Sequence, residues 1–392
     1  MHYIRFLKPP QITQDAKSPD QYILYAKITV VNDLGESFLW CDIPIEATIR
    51  DCNGVTVATQ SLIWKCEKRQ LEVRLVMSQK QAKKAAYQLP YQLSVWPSTG
   101  DFTPYNLAEV LSINRRQTNR PADGAVLRGL SSPFRPVAEP IHPAIYRHFK
   151  LDGGTTMSID EDTGESIARH IWDAGVILSA LLEELSQPSN TPPAGLQLLG
   201  NLIKDAPSPS VLELGTGCGI VAITFALSVP ASRVIATDLE DAAEVASDNL
   251  EQADNASYLN LDWSEPLPSR VASENFDLVL VADCTYNPDV VPYLVSTLAK
   301  LIEKSPSVLI CLAMKVRHAS EAVFFDLMKD HGIVQVGKHS ERVGNLGDED
   351  ESVDIYLFKG AEAAKVSEHA SDLAQIKTSF VLGVVDGQTY HG

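Results

Sequence analysis

Residues 281–289 read VADCTYNPD and follow the apolar run Phe276-Asp277-Leu278-Val279-Leu280, which has the character of a buried strand. A carboxylate (Asp283), a thiol (Cys284), a phenol (Tyr286) and an amide (Asn287) therefore stand together where that strand, expected over 276–282, ends. A carboxylate can orient or neutralise a cation. An aromatic face attracts one as well, by roughly 0.5–2 kcal/mol depending on desolvation. Asp283 and Tyr286 so paired would suit an incoming amine, with Asn287 to hold the substrate. The alternative is a loop carboxylate that caps the next helix and a tyrosine that packs in the core. Cys284 has no histidine nearby in sequence to activate it. It reads as a small apolar filler, and Cys218 likewise.

A second stretch, VLELGTGCGIVAI at 211–223, runs from a short apolar strand through Gly215-Thr216-Gly217-Cys218-Gly219 into a helix. Glycines there let the backbone turn tightly and approach a ligand, and ligands of open α/β sheets bind beyond such strand ends. The dinucleotide fingerprint is G-x-G-x-x-G. Here the third glycine comes one residue early, and Glu213 lies two before the first. That form, E-x-G-x-G-x-G, resembles motif I of the S-adenosylmethionine-dependent methyltransferases. Such a cofactor has no pyrophosphate to seat on a helix N-terminus. Its amine and sulfonium are cationic and suit an acidic neighbourhood. Asp238, in VIATDLE, ends the next strand at the distance of a ribose-hydroxyl acceptor, with Leu239 beside it. Capping of the following helix is the alternative, a job Asp241 could do equally. Asp262 and Trp263 follow near the expected end of the third strand. They could meet an adenine amino group and ring face, or Trp263 could simply pack.

Three features together carry a family resemblance: His170-Ile171-Trp172-Asp173-Ala174-Gly175, the glycine loop Glu213 to Gly219, and Ala282-Asp283-Cys284-Thr285-Tyr286. Residues from about 146 to 360 resemble the seven-β-strand methyltransferases, and within them the protein-lysine group, methyltransferase family 16, with its D-x-x-Y signature. The resemblance implies a Rossmann-like α/β sheet of order 3-2-1-4-5-7-6 with the last strand antiparallel, S-adenosylmethionine as cofactor, and Trp172 and Ala282 at that cofactor. It also implies transfer of a methyl group to a lysine amine of a non-histone protein. Members of the group carry aliphatic residues where this chain has Cys284 and Thr285. That departure keeps open a protein N-terminal or small-molecule acceptor, and a non-catalytic cofactor-binding scaffold is the reading from another class.

The surrounding elements must place these residues. Strands and helices alternate from Ser210 onward, as in a parallel sheet covered on both faces. Before it, Ile167 to Leu185 has apolar residues at helical spacing, with Thr163 or Ser166 as cap. Residues 1–97 are rich in β-branched and aromatic residues and are expected to form a β-rich domain. The expected strands are Tyr22 to Val31, Phe38 to Ile49, Val55 to Trp64, Leu71 to Met77 and Gln92 to Trp96, with a helix over Ser78 to Leu89. Prolines crowd 98–145, which reads as a linker, and 361–392 as a tail without periodicity. The acidic run Gly347 to Glu351 reads as a solvated hairpin tip, with contact to a basic substrate surface as the alternative.

Composition bounds the rest. The 392 residues carry 33 Lys+Arg against 50 Asp+Glu, a net charge of −17, which argues against nucleic-acid binding. The six cysteines form no C-x-x-C pair, so no metal site is expected and a reducing compartment, cytosolic or nuclear, is. The N-terminus has no signal-peptide character and no run reaches the length of a membrane helix. A monomer acting on a protein partner is the expectation.

Overall fold

The computed structural model describes all residues except 83–89, 117–123, 136–139, 163–165, 318–321, 347–348 and 366–392. The N-terminal half is a β-sandwich. One sheet holds β1 (His2–Phe6), β2 (Gln11–Gln14), β3 (Gln21–Val31), β6 (Leu71–Ser78) and β8 (Val126–Leu127). The other orders β11 (Thr156–Glu161), β10 (Ile145–Lys150), β9 (Gly129–Ser131), β7 (Tyr91–Pro97), β4 (Ile43–Asp51) and β5 (Thr56–Trp64). Alternation along the strands explains the pairing of sheets: in LEVRLVMS, Val73, Leu75 and Met77 are buried and their neighbours exposed. These residues meet Ile45, Ala47, Leu93 and Val95 of the facing sheet in one core.

Four of the five expected strands form within a residue or so of their expected bounds; the strand expected over Phe38 to Ile49 begins only at Ile43, β1 and β2 were not expected, and the expected linker does not form. Residues 98–145 contain α1 (Leu107–Arg115), capped by Asn106, and the strands β8 and β9, and end at the start of β10. The expected division at 145/146 is also redrawn, because β10 and β11 belong to a sandwich sheet and its last strand ends at Glu161. The prolines mislead for a physical reason: they bar only helix interiors and central ladder positions. Pro97 closes β7, and Pro104 and Pro143 lie just outside elements. Of the helix expected over 78–89, Gln79 to Ala82 are helical and the rest lies outside the described residues.

The C-terminal half carries α2 (Asp173–Ser186), α3 (Gln197–Asp205), β12 (Ser210–Leu214), α4 (Ile220–Ser228), β13 (Arg233–Asp238), α5 (Ala243–Leu250), β14 (Ala256–Asn260), α6 (Ser269–Ser273), β15 (Leu278–Ala282), α7 (Val291–Lys304), β16 (Leu309–Met314), α8 (Ala322–Asp330), β17 (Ile333–Leu346) and β18 (Glu349–Gly360). Seven strands order β14-β13-β12-β15-β16-β18-β17, which is the expected 3-2-1-4-5-7-6. β12 to β16 pair in parallel, and β18 runs antiparallel to both neighbours. The central parallel strands are buried on both faces, so SVLEL and LICLAM show no alternation.

α2 joins the two halves. Nearly every residue in it is buried. Its apolar surface packs in one core with Tyr3 of β1, Leu107 and Val110 of α1, and Val221 and Phe225 of α4. A helix apolar all round must be covered on all sides, and here the sandwich covers one of them. Its start is later than expected. Residues 167–169 form a 3₁₀ turn capped by Ser166, and Trp172 is extended. The Ile171 N–H donates to the buried Glu161 carboxylate at 3.1 Å instead of continuing a helix. No helix among the described residues is long and apolar enough to cross a membrane.

Candidate active site

A cavity of about 610 Å³ opens at the C-terminal ends of β12, β13 and β15. Of the residues singled out from sequence, Trp172, Glu213, Gly215, Thr216, Gly217, Asp238, Leu239, Asp262, Trp263, Ala282, Asp283, Tyr286 and Asn287 all line it. Gly219 does not. It caps α4 at φ 84°, and a Cβ there would crowd Ile223.

The loop's other two glycines are required by space and backbone conformation. Gly215 (φ 74°) leaves no room for a side chain: a Cβ would fall 2.3 Å from Cys284 Sγ and 3.5 Å from the Trp263 ring. Gly217 (φ 56°) would bring one within 2.7 Å of the Ala168 carbonyl. Both lie in the left-handed region that costs other residues roughly 1–2 kcal/mol. Asp238 fastens this loop. Its Oδ2 accepts the Gly217 N–H at 2.8 Å and its Oδ1 the Leu239 N–H at 2.7 Å. Each oxygen keeps a lone pair for a hydroxyl. Asp238 is thus no cap of the following helix. Asp241 is engaged elsewhere, with Arg169 and Ser166.

Glu213 is wholly buried. Its Oε2 accepts Thr216 Oγ1 at 2.5 Å and the Ala222 N–H at 3.0 Å. Burial outweighs both bonds and pushes its carboxyl up to about 8. Asp262 sits exposed at the rim, with Oδ1 taken by Ser264 and its acidity raised by those bonds. Trp172 Nε1 donates to the Ile167 carbonyl at 3.2 Å, fixing the ring at the cavity wall. A glycine cradle, acidic groups at Glu213, Asp238 and Asp262, and the indole of Trp263 together fit a nucleoside cofactor bearing a positive charge, in a pocket of ordinary ligand size.

At the other wall, Asp283 is the only non-glycine residue with positive φ among the described residues, at 56°. Its carboxylate is already engaged by groups that the sequence reading did not include. Arg317 Nη1 and Nη2 donate to Oδ1 and Oδ2 at 2.9 and 3.0 Å, and the Lys315 N–H donates to Oδ1 at 3.1 Å. Burial still raises its pKa above the usual carboxylate value, with Arg317 opposing. Tyr286 stands 51% exposed at the mouth beside Asn287. Cys284 packs under Gly215 with its thiol pushed up by burial, and Thr285 is buried against Met314. Cys284 therefore fills space at the glycine loop, and Thr285 fills the core.

Sequence reasoning missed His170, Ser264 and Tyr293, which also line the cavity, and the cations Lys315, buried, and Arg317, part-buried. Lys315 pairs with Asp173 at 2.9 Å and with Glu351 at 3.0 Å. One residue of the acidic run is thus an ion-pair partner rather than part of a solvated tip; Gly347 and Asp348 lie outside the described residues.

Residues 152–331 match the lysine methyltransferase family. The chain is 30% identical over 181 residues to protein N-lysine methyltransferase METTL21A of Mus musculus, covering 44% of this chain and 73% of that protein. The chain belongs to the lysine methyltransferase family. It is also 28% identical over 222 residues to EEF1A lysine methyltransferase 3 of Mus musculus, covering 55% of this chain and 83% of the relative. A UPF0665 family protein of Schizosaccharomyces pombe is 26% identical over 340 residues, covering 82% of this chain and 91% of its own length. That span exceeds the C-terminal half, so this likeness takes in part of the sandwich as well.

Proposed function

We propose that this lysine methyltransferase uses S-adenosylmethionine and methylates a lysine of a non-histone protein, with a translation elongation factor as first candidate. The observation that carries this is one cavity with a glycine cradle at one wall and Asp283 and Tyr286 at the other. Relatives named for EEF1A support the candidate substrate.

The cofactor, when bound, would supply an electrophilic methyl group on a sulfonium, with the sulfur as leaving group for a lysine nitrogen. Residues of this chain do the rest. Gly215, Gly217, Asp238, Asp262 and Trp263 would hold and orient the nucleoside, and Glu213 would offer an acidic group to its cationic amine. Tyr286 presents a π face to the arriving lysine. Asp283 accepts a hydrogen bond from its nitrogen, turning the lone pair toward the methyl group. Asn287 holds the substrate beside it. The walls Ile171, Ile220 and Val290 are apolar and favour the neutral amine over the ammonium.

The six cysteines are free thiols, which suits a reducing compartment, cytoplasmic or nuclear. The acidic balance of −17 favours a protein substrate with basic surface over nucleic acid.

The test is titration with S-adenosylmethionine and transfer of labelled methyl to unmethylated elongation factor. Asp283→Asn is expected to bind cofactor as the wild type does and to lose about 100-fold or more in transfer. A wild type that binds no cofactor overturns the proposal.

A further inference from the structure

Asp283 is reached from behind by a residue that does not itself line the cavity. The Arg317 guanidinium forks onto both carboxylate oxygens and lies over the Trp172 ring, 5.7 Å from its centre. Its Nη2 also donates to Asp33 Oδ2 at 2.7 Å. Asp33 belongs to the N-terminal sandwich, in the turn that follows β3, and its side chain is 0% exposed.

We propose that Asp33, acting through Arg317, is a positioning residue for methyl transfer, so that the sandwich contributes to the active site and does not merely accompany it. The inference rests on the assignment of Asp283 to the lysine nitrogen. A carboxylate has about four acceptor directions. Asp283 Oδ1 accepts Arg317 Nη1 and the Lys315 N–H, and Oδ2 accepts Arg317 Nη2. One direction on Oδ2 is left for the substrate. Without the fork, the carboxylate could rotate about its Cα-Cβ and Cβ-Cγ bonds, in a residue already held at a left-handed φ.

A fork on one carboxylate can still swing with its partner. The second carboxylate fixes the guanidinium plane. Asp33 is well placed for this because its own turn is tied down. Its Oδ1 accepts the Leu34 N–H at 3.0 Å, its carbonyl accepts Arg5 Nη2 at 2.7 Å, and Asn32 Oδ1 accepts the Glu36 and Ser37 N–H groups. Lys315 Nζ, 3.6 Å from Asp33 and 2.9 Å from Asp173, links the same anchor to the start of α2.

The experiment measures initial rates of labelled methyl transfer at saturating cofactor. The acceptors are recombinant unmethylated elongation factor 1A and, in parallel, an extract of cells lacking the enzyme. Arg317→Ala is expected to lose about 100-fold in rate while cofactor affinity stays within about twofold, the signature of misplacement by about an ångström. Added millimolar guanidinium should restore at least tenfold of that loss, and only while Asp33 is present. The double variant Asp33→Asn, Arg317→Ala should show no rescue. Asp33→Asn alone should approach the loss seen in Arg317→Ala.

A wild-type rate in Asp33→Asn, or equal rescue with and without the Asp33 carboxylate, overturns the inference. Should Asp33→Asn fail to fold, Arg317→Lys replaces it, since a lysine keeps the charge but makes no fork. It should lose the same activity, and a wild-type rate there is equally fatal. A fully active Asp283→Asn would instead remove the assignment of Asp283, whatever the Asp33 variants do.

Discussion

Glu213→Gln separates the charge of this buried group from its hydrogen bonds. In the wild type the carboxyl titrates near 8 when folded against an ordinary 4.5. The folded value lies above the unfolded one. Between those values the folded protein therefore keeps a proton that the unfolded chain has released. Stability is complete at and below pH 4.5, declines as pH rises, and levels off above pH 8. At about 1.4 kcal/mol per pH unit, that gap bounds the loss at about 5 kcal/mol. An amide cannot ionise, so Glu213→Gln should remove this decline. Other buried acids, such as Glu183 near 7 and Asp160 near 6, titrate in both proteins and cancel in the difference. The assay is urea denaturation of both without cofactor from pH 5 to pH 9. The wild type should weaken relative to the variant by several kcal/mol across that range. Cofactor binding gives a second readout: a cationic amine facing Glu213 draws off the proton. Wild-type affinity should then rise with pH, by up to about tenfold per unit below pH 8, and the variant's should not. Parallel stability curves would show that Glu213 is already charged in the fold and refute the reasoning.

Two further outcomes follow from packing. Gly215→Ala forces a Cβ against Cys284 Sγ at a left-handed φ; it should cost about 1–3 kcal/mol by denaturation and weaken cofactor binding, with partial recovery in Gly215→Ala, Cys284→Ala. Removal of residues 1–161 uncovers α2 where Tyr3, Leu107 and Val110 pack on it, and strands Lys315 and Arg317 without Asp33. The fragment should be insoluble; a soluble monomer with native cofactor affinity, measured by calorimetry, would show that the sandwich is dispensable.

Local chemistry made much of this protein legible in its sequence. Strand, glycine loop and helix are consecutive, so their spacing alone placed Glu213, Gly215 and Gly217 beside one another, and the strand-terminal position of Asp238 and Asp283 brought them to the same edge of the sheet. Strand alternation in the sandwich was equally readable. Elements without strong periodicity were not: β8 and β9 are too short to show a pattern, and prolines at their borders made 98–145 look structureless. The start of α2 was misplaced because Glu161 takes a backbone N–H that sequence periodicity assigned to the helix. The state of Asp283 was beyond sequence altogether. The Lys315 N–H and the Arg317 guanidinium that hold it come from beyond another strand end, and the Asp33 carboxylate that holds Arg317 comes from the sandwich; nothing local to VADCTYNPD announces them. The sequence by itself determined that the glycine loop and the strand-terminal carboxylates meet at one sheet edge, because that follows from neighbours along the chain. Only the tertiary structure decided which way Asp283 can face, because ion pairs between distant segments form only once both halves close on one core.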